Sequence, residues 1–230
     1  MDLQEALERY QGTKLNLNEL SQYQQWAFNF FHNEEFVANP QISVTIQLDL
    51  EKPREVYERS FQTTPAACFQ GYLVWNLVKA LSIEWTFSTR KIQGEWYRFK
   101  NIPVFFSIAV GGENRFKNVI INDVILMDWP TFCRVYRESI ENSKNDGGFV
   151  SELIWDISYF IGNIPYLNFT SLQIHRGTQK SGRPLFYFGQ RHTLYQKQTV
   201  PLSVTLDHSN ADPYVLNQLM ETYQGLLTTV

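Results

Sequence analysis

The stretch Val200–Tyr214, VPLSVTLDHSNADPY, carries the residues best suited to chemistry. Val200, Leu202, Val204 and Leu206 alternate with Ser203, Thr205 and Asp207, the period of a strand with one apolar face. His208 follows on the apolar parity. If the pleat continues, its imidazole points inward and is partly desolvated, which favours a neutral base over an imidazolium. A neutral imidazole beside a hydroxyl can accept its proton in a transition state at physiological pH. The same position also suits a hydrogen-bonded core histidine, and periodicity alone does not decide between the two roles. Asp212 precedes Pro213 and an amphipathic run whose apolar stripe is Val215, Leu216, Leu219, Met220, Tyr223 and Leu226. Asp then Pro reads as a helix N-cap and first helical position, a role Asp212 fills whatever the protein does.

The elements that must position these residues are legible along the chain. Ile42 to Leu50 alternates strictly and predicts a half-buried strand. From Pro65 to Leu81 the period switches to that of a helix, with Phe69, Tyr72, Leu73, Leu77, Ala80 and Leu81 on one face. Strands are predicted at Glu95–Phe99, Val104–Ala109, Asn118–Leu126, Asn168–Ile174, Pro184–Phe188 and Val200–Leu206. Helices are predicted at Trp129–Ile140, shortly after the loop Asn142–Gly148, and from Pro213 to about Leu227. The first forty residues read as helix and loop, crowded with aromatics from Leu17 to Phe31. Helices mixed with antiparallel-looking strands, without regular βαβ alternation, indicate an α/β (α+β) fold. No repeat or linker divides the chain, so residues 1–230 are expected to form a single domain.

Composition removes several function classes. A net charge of −3, with no basic run beyond the pair Arg90-Lys91, argues against a nucleic-acid partner. No window holds eighteen apolar residues, so no membrane span is expected. The start, MDLQEALERYQGTK, is too polar for a secretory signal, and a cytoplasmic protein is expected. Cys68 and Cys133 are then free thiols. His32, His175 and His192 lie far apart without ligand spacing, so no metal site is expected. Gly111-Gly112 and Gly147-Gly148 lack the strand–turn–helix context of a phosphate loop, and Ser171 lacks nucleophile-elbow glycines.

Several short motifs, in order, resemble the chloramphenicol acetyltransferase family. Asp207-His208-x-x-x-Asp212-Pro213 is similar to that family's His-His-x-x-x-Asp-Gly. Pro165-Tyr-Leu-Asn-Phe-Thr-Ser171 resembles its Pro-Trp-x-Ser-Phe-Thr-Ser, and Pro184-Leu-Phe-Tyr-Phe-Gly189 its Pro-x-Phe-Thr-x-Gly. Val200-Pro-Leu-Ser-Val204 is similar to Leu-Pro-Leu-Ala-Ile, and Ile46-Gln-Leu-Asp49 to Val-Gln-Leu-Asp. Trp129–Tyr136 falls where the family has an aromatic-rich middle helix. The resemblance runs from residue 20 to the end. It implies a mixed β-sheet flanked by helices, assembled as a homotrimer with its sites between subunits. It also implies a CoA-dependent acyltransferase that uses acetyl-CoA or another acyl-CoA and no metal. His208 would be the general base, moving an acyl group to a hydroxyl or amine of a small molecule without a covalent acyl-enzyme. Asp212 would support the site.

Departures from the family bear on the acceptor. Gly162 stands where the family has a serine, and Tyr187 where it has a threonine, both on the substrate side. A family lysine beside CoA is replaced by Gln190, with Arg191 adjacent. The family's partner for Asp212 is an arginine, and the matching Tyr23-Gln24-Gln25-Trp26 has none. Chloramphenicol is therefore not expected as the acceptor. Two further readings stay open: a catalytically silent binding or structural protein on the same trimeric scaffold, and a CoA-independent reaction using the same histidine.

Overall fold

The computed structural model describes residues 1–113, 115–146, 150–174 and 181–229. His175 and the pair Gly147-Gly148 lie outside the described residues. In chain order the elements are α1 (Leu3–Arg9), β1 (Gly12–Lys14), α2 (Gln22–Phe30), β2 (Gln41–Asp49), α3 (Glu51–Ser60) and α4 (Phe69–Ile83). There follow β3 (Thr89–Ile92), β4 (Glu95–Phe99), β5 (Val104–Ala109), β6 (Phe116–Ile121), α5 (Trp129–Asp146) and α6 (Glu152–Ile157). The last are β7 (Tyr159–Asn163), β8 (Leu185–Phe188), β9 (His192–Leu194), β10 (Lys197–Asp207) and α7 (Pro213–Thr228).

The main sheet has seven strands, ordered β2-β10-β8-β7-β5-β6, with β9 also paired to β10. Its β5–β7 and β7–β8 pairs are parallel and the rest antiparallel, so the expected mixed sheet flanked by helices is what the chain forms. A small sheet, β1-β4-β3, stands beside it. The spine is β10, paired with β2 from Thr199↔Asp49 to Asp207↔Gln41.

Leu202, Val204 and Leu206 are buried with Leu48 against the helices. The helices lock one another: the Tyr72 hydroxyl of α4 donates to the Leu227 carbonyl, and the Tyr223 hydroxyl of α7 to the Leu73 carbonyl. Burying each such leucine contributes about 1.5–3 kcal/mol, so the apolar parity of β10 fixes its register against any one-residue slip.

Three expectations need correction. The polar face of β10 is buried, with Ser203, Thr205 and Asp207 as deep as the leucines. Over Ser203 lies the segment 168–174, expected to be a strand, which joins no ladder. Its backbone is satisfied by side chains of the sheet beneath: Ser203 donates to the Leu172 carbonyl, Thr45 Oγ1 accepts from Leu172 N, and Gln47 donates to the Phe169 carbonyl. Its apolar side chains anchor separately, Phe169 buried and Ile174 packed against the Phe105–Phe160–Leu185 cluster, rather than forming one face of a paired strand. The strand expected at 118–126 ends at Ile121, and Val124–Leu126 is a 3₁₀ turn entered through Asp123 at φ 61°. The helix expected to stop near Ile140 continues to Asp146, helped by Lys144 pairing with Glu141.

Candidate active site

His208 sits one residue beyond the end of β10. The ladder continues for one bond, His208 N donating to the Pro40 carbonyl at 2.8 Å. The chain then turns sharply, with Asn210 N and Ala211 N both donating to the Asp207 carbonyl. The turn is held from every side. Asp207 Oδ1 accepts from Ser209 N at 3.0 Å and Ser209 Oγ at 2.7 Å. The Asn210 amide donates to Thr86 O, Thr89 Oγ1 and Gly182 O. From Thr199 to Ala211 every residue is buried except His208, which is half-buried. Its ring lies against Phe31 with centroids 4.2 Å apart, and its Nδ1 is buried without a hydrogen-bond partner among the described residues. The imidazole lines a cleft of about 170 Å³ with Tyr23, Gln24 and Ala27 of α2, Asp212 and Tyr214. One imidazole at a cleft, on a turn that cannot easily reorient, is the geometry general-base catalysis asks for.

Asp212 caps α7 as expected, Oδ1 accepting from Val215 N at 2.9 Å. Its other oxygen answers the missing arginine: Tyr23 donates its hydroxyl to Oδ2 at 2.9 Å. The pair ties α2 to the start of α7 across the mouth of the cleft. Burial, and then the hydrogen bond to Asp212, pushes the Tyr23 phenol above its ordinary range. Tyr23 lies within the motif where the arginine is lacking. Its role had no local signal, since the partner is 189 residues away.

Gly162 and Tyr187 are brought together. They are register partners on β7 and β8. A Cβ at 162 would meet the Tyr187 ring at 2.7 Å and the Phe160 ring at 2.8 Å. The tyrosine ring therefore fills the space that a serine at 162 would need. Tyr187 is the partner of Ser203 on β10, five residues before His208, or about 16 Å along the strand. It shares the face of Ser203, opposite Val204 and Leu206.

Gln190 and Arg191 lie further away, beside β9 and the start of β10. Gln190 is exposed, its N–H donating to Leu167 O. Arg191 donates to Gln70 at 2.9 Å and stacks on Phe69, whose ring Arg54 also covers. Burial, then the charge of Arg54, lowers the Arg191 pKa from its ordinary value. The β9 partner of Thr199 is His192, and from Thr199 to Asp207 spans eight residues, roughly 26 Å. Within one chain, His208 and the Gln190–Arg191 pair thus stand at opposite ends of β10.

Two residues beside His208 escaped the sequence pattern. His32 Nε2 lies 3.0 Å from Asp207 Oδ2, a carboxylate oxygen that accepts, and Lys91 Nζ lies 3.2 Å from His32 Nδ1. The one hint was a carboxylate at the last position of a strand, which needs donors if it is buried. Among the described residues no group of three or more His, Cys, Asp or Glu could hold a metal, and no helix is long and apolar enough to cross a membrane.

No protein-family model and no curated protein sequence matches the chain. Solved structures do. A chloramphenicol acetyltransferase superposes with a TM-score of 0.79 at 18% identity, covering 94% of this chain and 99% of that one. A probable dihydrolipoamide acetyltransferase from Listeria monocytogenes 4b F2365 gives 0.63 at 12% identity, covering 94% of both chains. The truncated catalytic core of a 2-oxoacid dehydrogenase multienzyme complex from Thermoplasma acidophilum gives 0.64 at 11%, covering 90% and 96%. The chain has the fold these proteins share, at the sequence distance of a divergent form. Identities this low speak to fold and not to activity.

Proposed function

We propose that residues 1–230 form one acyltransferase domain that moves an acetyl or other acyl group from CoA to a hydroxyl or amine of a small molecule. The observation that carries the reading is His208, the one half-exposed side chain in a buried stretch, held on a fixed turn at the edge of a cleft. The likeness of the fold to acetyltransferases supports it.

In this reading His208 takes the acceptor's proton as the acceptor oxygen attacks the thioester carbonyl. The tetrahedral intermediate collapses, the C–S bond breaks, and the imidazolium returns the proton to the departing thiolate. No bond to the protein forms. Holding both substrates at one imidazole supplies much of the acceleration. Gly162 and Tyr187 would face the acceptor, Gln190 and Arg191 the CoA phosphates, and Asp212 with Tyr23 would hold the cleft's shape. The Gly162–Tyr187 and Gln190–Arg191 pairs lie roughly 16 and 26 Å from His208 along one strand. That spacing supports a homotrimer in which the site is completed by a second copy, as the family resemblance implies. The solution mass should then be near three times 27.0 kDa.

A second reading rests on Tyr187. Its ring fills the space a side chain at 162 would need, the resemblance implies two hydroxyls missing there, and losing an oxyanion donor costs about two to three orders of magnitude in rate. A silent binding protein on the same scaffold would tolerate that loss. Thermal unfolding with acetyl-CoA and with free CoA tests for CoA binding, and turnover separates the two readings. Ligand at a hundredfold its dissociation constant adds about 2.7 kcal/mol, and thiol release with an acceptor panel should vanish in His208→Ala. No shift at millimolar ligand would retire the acyltransferase reading.

A further inference from the structure

The geometry points to Lys91, His32 and Asp207 as a positioning chain that sets the orientation and charge environment of His208. The inference rests on reading His208 as the base. Three elements far apart in sequence meet here: β3 supplies Lys91, the turn after α2 supplies His32, and the end of β10 supplies Asp207. The side chains of His32 and Asp207 are 4% and 1% exposed. A lysine ammonium can only donate, so its contact at 3.2 Å makes His32 Nδ1 an acceptor. The single proton of a neutral imidazole then sits on Nε2 and is donated to Asp207 Oδ2 at 3.0 Å. Trp96 packs edge-on against the ring, 5.0 Å between centroids, and confines its plane. The tautomer of His32 is therefore fixed, with a cation at one end and a carboxylate at the other.

Asp207 passes this order to the base. The oxygen not used by His32 accepts both donors of Ser209, the residue after His208. The turn carrying the base is thus clamped to a carboxylate, which is clamped through an imidazole to an ammonium. Burial raises the proton affinity of Asp207, but the hydrogen bond from His32, the positive charge His32 carries when protonated, and the hydrogen bonds from Ser209 outweigh it and hold the carboxyl below its usual range. A full negative charge consequently stands one residue from the base, balanced through His32 by Lys91. Other charged or titratable groups nearby are Glu152 and Asp156 of α6, which share a cleft with Lys91, and Tyr23 and Asp212, which share one with His208.

The test is histidine-labelled NMR on the full chain, which needs neither acyl-CoA nor acceptor. In the wild type His32 should show one slowly exchanging Nε2 proton, and His208 is assigned by its loss in His208→Gln. Lys91→Met keeps the aliphatic stem and removes the balancing charge, and His32→Leu breaks the chain. In both, the His208 titration curve should move to higher pH, because the less balanced carboxylate favours imidazolium. His32→Gln offers an amide oxygen to Lys91 and an amide N–H to Asp207, and should restore the curve. If Lys91→Met and His32→Leu are folded and leave the curve in place, the inference is wrong. If His32→Leu does not fold, Lys91→Met decides alone. Shifted curves in a protein with no thiol release would uphold the chain and retire only the acyltransferase reading.

Discussion

Tyr23 and Asp212 join α2 to the start of α7 through a single hydrogen bond. Asp212 does two jobs with two oxygens, capping α7 and accepting the Tyr23 hydroxyl. Tyr23→Phe removes only the second and should cost about 0.5–1.5 kcal/mol. Asp212→Ala removes both and should cost about 1–2 kcal/mol or more. In the Asp212→Ala background Tyr23→Phe should then cost almost nothing, which denaturation of the four proteins in a double-mutant cycle checks. Equal costs in both backgrounds would mean the hydroxyl works elsewhere. At this scale the sequence was informative wherever a role is local. Asp212-Pro213 announces its cap, and the parity of β10 places His208 at the strand end. Tyr23, His32 and Lys91 act through partners 59 to 189 residues away, and no spacing rule registers such pairs.

Elements were legible where one face is buried and the other is polar, as in β2, or where a helix has an apolar stripe, as in α4 and α7. β7, with its run Tyr159-Phe-Ile-Gly-Asn163, is too short and too evenly buried to show a period. The false strand at 168–174 is the converse, apolar residues without a ladder. β7 and β8 also carry the most direct test of packing. Gly162→Ser forces the Tyr187 and Phe160 rings apart and should destabilise the protein by about 1–3 kcal/mol. Tyr187→Thr opens the same space, so Gly162→Ser/Tyr187→Thr should recover most of that loss. Thermal unfolding of the three variants measures it, and a double variant no better than Gly162→Ser would show that the rings are not the obstacle.

The molecule as a whole draws from Asp207 a stability near neutrality that acid removes. Its folded pKa is depressed, so its contribution is complete above the unfolded value of about 3.9 and is lost as pH falls through the folded value. Asp207→Asn should be less stable than wild type near neutrality, and the gap should narrow as pH falls below about 4. Urea titrations from pH 6 to about 2 read this directly. A gap that stays constant would mean that the carboxylate is not held ionised by its donors. The fold class was legible in the mixture of periods and the ordered motifs. The separation of His208 from Arg191 was not, because distance along a strand becomes meaningful only once the register of β8, β9 and β10 is known.

The burial of every residue around His208 has a bearing on its history. Leu206, Asp207, Ser209 and Asn210 are each committed to the interior, so replacing any of them costs folding whatever the protein does. That cradle would survive in a lineage that had abandoned catalysis. The half-exposed imidazole is the member of the stretch that drift could replace at least cost to folding. Across descendants of this chain, position 208 is therefore an informative marker of use: conserved beside changing acceptor residues it records selection on a reaction, and scattered substitution there records retirement.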